Sequence, residues 1–268
     1  MNVRIPRLLP IALGVATILA GVAWISRPSP VSASTESSMA SAIVTDINTD
    51  RGGQGLRGLR VDPRLTALAA ERAMWMASTG LMSHSSVGGE VYDAIAARGV
   101  DAWSSAEAIG STNATWGNDA AQYLYSLWRG SQEHWDLMMS STFNYIGVGI
   151  GYRPSTGETF ASVVLAEAPD VTNPVAQVTG AGVSGHTIFF TWTGRDGLLQ
   201  THTAGLKDYD VQYRVDNGAW LTLQSHTSTT NVTLTGRPGG HTYAIRVRDR
   251  DRRNNLSVWT VARTVRVS

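Results

Sequence analysis

Two hydrophobic periodicities divide the chain. Between residues 41 and 169 apolar positions recur at helical spacing: Leu65, Leu68, Ala69, Arg72 and Met76 share one face of a segment opened by Asp62-Pro63 and closed by Gly80. Aspartate can accept the first free N–H groups of a helix, proline suits its first position, and glycine takes the left-handed stop. The spacing therefore predicts a helix over 63–79. Shorter helices are predicted over 91–98, closed by Gly99, and from Asn118-Asp119 onward, with Ala121, Leu124, Leu127 and Trp128 on one face. Another short helix, capped by Ser131, carries His134 and Leu137. Strands over 145–152 and 159–166, joined by Pro154-Ser155-Thr156-Gly157, predict a hairpin. Helices followed by a hairpin imply an α+β layer with an antiparallel sheet.

From residue 170 to 268 helical spacing gives way to alternation. Tyr209, Val211 and Tyr213 alternate with polar neighbours, as do Tyr243, Ile245 and Val247, and Asp216-Asn217-Gly218 is a hairpin turn. Further strands fit 187–193, 220–224, 231–234 and 258–267. Short strands separated by turns predict an all-β sandwich. The boundary falls in the Pro- and Asn-containing stretch 169–174.

Ahead of both blocks, Arg4 and Arg7 precede an apolar run over 8–25, and Val31-Ser32-Ala33 follows a proline break. This is the three-part pattern of a secretory signal over 1–33, and the alternative is an uncleaved anchor. Either way the bulk of the chain is expected outside the cytoplasm, touching a membrane only through that segment. Residues 34–40 read as a polar tether. Three of the basic residues lie in the leader, so the remainder holds 19 basic and 21 acidic side chains and has no broad basic face for nucleic acid. The local cluster Arg246, Arg248, Arg250, Arg252 and Arg253 reads as a solvated strand face and loop. With no cysteine, disulfides, thiolate metal sites and cysteine nucleophiles are excluded.

Several short motifs follow one another through the first block. They are Asn48-x-x-Arg51, Leu59-x-x-Asp62-x-x-Leu65, His84-Ser85, Ala106-Glu107-Ala108, Trp128-x-x-Ser131-x-x-His134 and Ile146-Gly147-Val148-Gly149. In order and spacing they resemble the bacterial branch of the CAP superfamily, the SCP-like extracellular domain, which implies an α-β-α sandwich. The resemblance also implies a cleft holding His84, Glu107 and His134. Two imidazoles and a carboxylate can bind a divalent cation such as zinc with a position left open, or form a pH-responsive cluster without metal. Two departures stand out: Glu107 is flanked by alanines where the family prefers Gly and Asn, and Ser131 stands where the eukaryotic branch has its second acid.

The second block resembles a fibronectin type III module, with Trp192 as its core tryptophan and Leu234, Pro238 and Tyr243 as a tyrosine corner. Trp75, Trp103, Trp116, Trp128 and Trp135 are expected as core anchors, and His186, His202, His226 and His241 as surface residues. Three functions follow from these resemblances. The foremost is a secreted or cell-surface protein binding an extracellular ligand, a cell-envelope component or a divalent cation in the His/Glu cleft, with the sandwich for presentation or adhesion. The others are a scaffold with a vestigial cleft and a metal-assisted hydrolase of envelope material using Glu107 as base. No nucleophile elbow, His-Glu-x-x-His or phosphate-binding glycine loop supports catalysis.

Overall fold

The computed structural model describes residues 30–114 and 116–268; the leader expected over 1–33 lies almost wholly outside them. In chain order the first part contains helix α1 (Pro30–Gly53), strand β1 (Arg60–Val61), α2 (Pro63–Thr79), α3 (Val91–Ala96), β2 (Ser104–Thr112), α4 (Asn118–Arg129), α5 (Gln132–Met138), β3 (Tyr145–Arg153) and β4 (Glu158–Glu167). The sheet runs β1-β3-β4-β2, antiparallel except for the β1–β3 pair.

Helix α2 begins and ends where its caps dictate. Asp62 accepts from the Arg64 N–H, and Gly80, at φ 75°, donates its N–H to the Met76 carbonyl. What seats this helix is the glycine row of β3. A Cβ on Gly147, Gly149 or Gly151 would come within 2.1 to 2.4 Å of the α2 backbone at Leu65, Ala69 or Ala73. Only glycine permits so close a backbone approach. Between the glycines, Ile146, Val148 and Ile150 point the other way, into a core with Ile43 and Ile47 of α1 and Leu124 and Trp128 of α4. Leu65, Leu68, Ile95, Tyr145 and Val164 fill the α2 side. The result is an α-β-α sandwich.

The expected tether over 34–40 instead lies inside α1. Met39, Ile43 and Ile47 are fully buried at a spacing of four, one stripe of a helix rich in Ser and Thr. Among the described residues no helix is long and apolar enough to cross a membrane.

After the 168–174 joint come β5 (Val175–Ser184), β6 (Thr187–Arg195), β7 (Leu206–Val215), β8 (Leu221–Thr227), β9 (Asn231–Leu234), β10 (Thr242–Asp251) and β11 (Arg263–Arg266). They form two antiparallel sheets, β5-β6-β9 and β11-β10-β7-β8, a fibronectin-III-like sandwich. Trp192, Tyr209, Val211, Ile245 and Val247 fill the space between the sheets. The Tyr243 hydroxyl donates to the Pro238 carbonyl at 3.2 Å, closing the tyrosine corner. The final strand is shorter than the 258–267 expected, and β5 goes beyond the expected strands. The arginine cluster is also more structured than a solvated face. Arg246 stacks over Trp220 and Trp259, Arg248 over Trp259, and Arg248 and Arg250 pair with Asp210 and Asp208. Planar guanidinium groups alternating with indoles cover that face of the sheet.

The two parts touch through the β6–β7 loop. Leu199 is 2% exposed and packs with the Leu65 core. Fully buried Asn144 donates to the carbonyls of Ala168 (2.7 Å) and Thr201 (3.1 Å) and accepts from the Ala168 N–H (3.0 Å). His202 lies against Trp103 with ring centroids 4.2 Å apart and planes tilted by 50°, and reaches Glu167 at 2.8 Å.

Candidate functional site

Arg72 organises the site. It sits on the buried stripe of α2, fully shielded from solvent, and faces Glu107 on β2. Its Nε and Nη2 donate to the two Glu107 oxygens at 2.7 and 3.1 Å. The fork then reaches past the carboxylate into the α2–α3 loop, donating Nη1 to the Val87 (2.8 Å) and Gly89 (3.0 Å) carbonyls and Nη2 to the His84 carbonyl. Ser162 of β4 donates to Glu107 Oε1 at 2.7 Å. A charge this deep is tolerable only with such pairing, because desolvation penalises any unpaired ion.

His84 completes the arrangement. Its Nδ1 lies 2.9 Å from Glu107 Oε2, with the imidazole 56% exposed and the carboxylate 1%. An ionised carboxylate only accepts, so Nδ1 is the donor of this pair. Nε2 makes no hydrogen bond among the described residues. The alanines at 106 and 108 do not loosen Glu107: it lies in a regular ladder, opposite Val164.

His134, on α5, has its Nδ1 2.9 Å from Ser131 Oγ, and its Nε2 is likewise free of hydrogen bonds among the described residues. Ser131 occupies the N-cap position, but its hydroxyl serves the imidazole and makes no cap bond. The structure thus joins His84 to Glu107 and His134 to Ser131. No hydrogen bond or ion pair links the two pairs among the described residues. The three sequence-indicated residues are also not a group with ligand atoms mutually within 4.8 Å; among the described residues that grouping is Asp170, Asp196 and Asp251.

Other motif residues hold the frame. Asn48 exchanges hydrogen bonds with the Leu59 backbone at 2.7 and 3.0 Å. Arg51, fully buried, donates to the carbonyls of Arg57, Met138 and Ser140, and burial pushes its guanidinium pKa down to about 10. The indole N–H of buried Trp128 donates to the Ile109 carbonyl at 3.0 Å. Trp103, by contrast, is 51% exposed and belongs to the contact with His202, not to the core. A cleft of about 540 Å³, away from the histidines, opens between α1 and α2 and is lined by Ala40, Val44, Ala70, Met74 and Ile150. Its size suits a small apolar molecule.

The residue that sequence reasoning undervalued is Arg72. It stood in the apolar stripe of its helix as a spacing match, and a charge in that stripe signals a buried partner.

A family model described as CAP, cysteine-rich secretory protein family, matches residues 44–165. Among solved structures, an extracellular protein containing a SCP domain from Bacillus anthracis is 20% identical at a TM-score of 0.45, over 53% of this chain and 44% of its own. A cysteine-rich secretory protein from Staphylococcus aureus is 16% identical at a TM-score of 0.39, over 49% and 39%. A Fn3-like protein from Clostridium thermocellum is 21% identical at a TM-score of 0.25, over 35% and 92%. The chain therefore spans less than half the length of the first two. Curated proteins give no match.

Proposed function

Residues 44–165 are a CAP domain of the cysteine-rich secretory protein family, and from this premise we propose that the chain is an extracytoplasmic binding protein using His84 and His134. Export rests on the leader, and the ligand is an extracellular molecule or a divalent cation such as zinc. The observation that carries this reading is the state of the two rings. Each imidazole has Nδ1 engaged by a neighbour, Glu107 or Ser131, and keeps Nε2 for something else.

A histidine is prepared for ligation when an acceptor on one nitrogen fixes the ring and raises the basicity of the other, and Glu107 is such an acceptor for His84. Glu107 then acts as the orienting carboxylate and not as a ligand, since Arg72, Ser162 and His84 already occupy it. The same engagement speaks against Glu107 as the general base of a hydrolase, because a base must have a lone pair directed at its substrate. The sandwich, docked through Asn144 and Leu199, presents the CAP domain at a set orientation.

The test is a thermal melt of the purified chain with and without zinc. A bound ion should raise Tm by a few degrees, roughly 3–6 °C at about ten times Kd or more. His84→Ala and His134→Ala should each abolish the rise, and Glu107→Gln should weaken it. If neither zinc nor any other first-row divalent ion shifts the melt, the metal form of the proposal is lost.

A further inference from the structure

The joint between the two parts carries a second cluster, built from the opposite chemistry. Asp170 lies in the linker after β4, Asp196 directly after β6, and Asp251 at the end of β10. One carboxylate oxygen from each lies within 4.8 Å of the others. Asp170 is 1% exposed and Asp251 is fully buried.

Carboxylates this close repel one another, and burial removes the water that would screen them. Among the described residues none of the three forms a salt bridge. Their hydrogen bonds come from neutral groups: Thr172 and the Ala204 N–H to Asp170, the Gly205 N–H to Asp196, and Asn255 with the Arg253 N–H to Asp251. Such donors orient the oxygens without neutralising them.

Two further observations point to a cation as the partner of this group. Asp196 Oδ1 is buried without a hydrogen-bond partner. Asp249, fully buried two residues before Asp251, has neither carboxylate oxygen hydrogen-bonded. The Ser257 hydroxyl beside it accepts from the Asp249 backbone N–H at 2.9 Å and draws the carboxyl pKa down, against the larger effect of burial. Its carboxylate lies against Gly194, where a Cβ would meet Oδ2 at 2.4 Å, and its charge acts on both Asp196 and Asp251. Buried charges are as a rule paired or bound to metal, and here four carboxylates adjoin with no cationic side chain bonded to any of them among the described residues.

We infer that Asp170, Asp196 and Asp251 bind a hard divalent cation, calcium foremost, that fastens the sandwich to the CAP domain. Oxygen-only donors favour calcium over zinc, which prefers imidazole and thiolate. Asp249 supplies further negative potential from behind the ligands. The ligands belong to the linker, the β6–β7 loop and the end of β10, so an ion bridging them would hold the joint that Asn144 and Leu199 already close. The Asn255 amide, donating to both Asp251 and the Asp170 carbonyl, holds two of those segments in place.

The experiment is a melt of the purified chain in EDTA and in about 10 mM calcium, with calorimetric titration of calcium alongside. Extracellular calcium modules bind in the range of about 0.1–1 mM, so Tm should rise by about 4–8 °C and heat should saturate near one ion per chain. Asp196→Asn should abolish both signals, since its amide oxygen can still accept from Gly205 and keep the loop. Asp170→Asn is the second variant should the first not fold. His84→Ala should leave the calcium response intact, which separates this site from the zinc proposal. A wild-type chain with no response in either measurement, or a response undiminished in Asp196→Asn and Asp170→Asn, overturns the inference.

Discussion

Both parts of the molecule bury carboxylates, and they treat them in opposite ways. In the CAP domain the Glu107 carboxylate meets a bidentate guanidinium, a serine hydroxyl and an imidazole, so its charge is answered within the chain. At the joint, neither Asp249 oxygen has a hydrogen-bond partner within ordinary geometry among the described residues. Burial, reinforced by Asp196 and Asp251 and opposed by the nearby Ser257 hydroxyl and its own backbone N–H, pushes its carboxyl above the usual carboxylate range. Burial and the charges of Asp170 and Asp251 act the same way on Asp196, against the backbone N–H groups of Gly205 and Gly197. A satisfied ion pair fixes geometry, here the α2–α3 loop and the His84 ring. An unsatisfied group of like charges stores an unfavourable energy that an external cation can relieve.

This contrast predicts mutations of opposite sign. Arg72→Met leaves Glu107 buried without its cation and should cost about 3–5 kcal/mol in urea unfolding. Adding Glu107→Gln to that variant should restore a large part of the loss, since it removes the stranded charge. A single-variant cost below about 1 kcal/mol would mean that Glu107 is not held by Arg72 in the way the distances imply.

Asp249→Asn should do the reverse. Measured in EDTA at neutral pH, it should gain about 1–2 kcal/mol, because the amide removes a desolvated charge at nearly constant volume. In calcium the gain should shrink, as the ion already offsets that charge in the wild type. A clear loss of stability in EDTA would show that Asp249 is satisfied in solution, and the comparison would lose its second half.

How far these features were readable from sequence follows the range of the interactions behind them. The caps of α2 act over a few residues, so Asp62-Pro63 and Gly80 set its limits directly. The glycines of β3 were visible as a motif, but their cause, the α2 backbone lying against them, is a contact across the sheet. Helix α1 escaped notice because Met39, Ile43 and Ile47 are sparse among serines and threonines. Strand β5 escaped because Gly180 and Gly182 interrupt the alternation, their missing side chains replaced by Thr191 and Phe189 of β6. His84 and Glu107 were legible as partners through an ordered family pattern, and the fold joins them. Asp170, Asp196 and Asp251 follow no pattern at all, for they meet only where linker, loop and strand end converge.

The smallest predicted effect concerns what holds the two parts together. His202 packs at a tilt against exposed Trp103 and reaches Glu167, yet its side chain is 39% exposed, so solvent competes for both contacts. His202→Ala should cost less than about 1 kcal/mol, and a double-mutant cycle with Trp103→Ala should give a coupling of about 0.5–1 kcal/mol. The buried Asn144 and Leu199 contacts remain in both variants, so the melt should keep its wild-type shape. Should His202→Ala instead split the melt into two transitions, the exposed ring pair would be the fastening. The buried carboxylates would then lie beside a joint that they do not control.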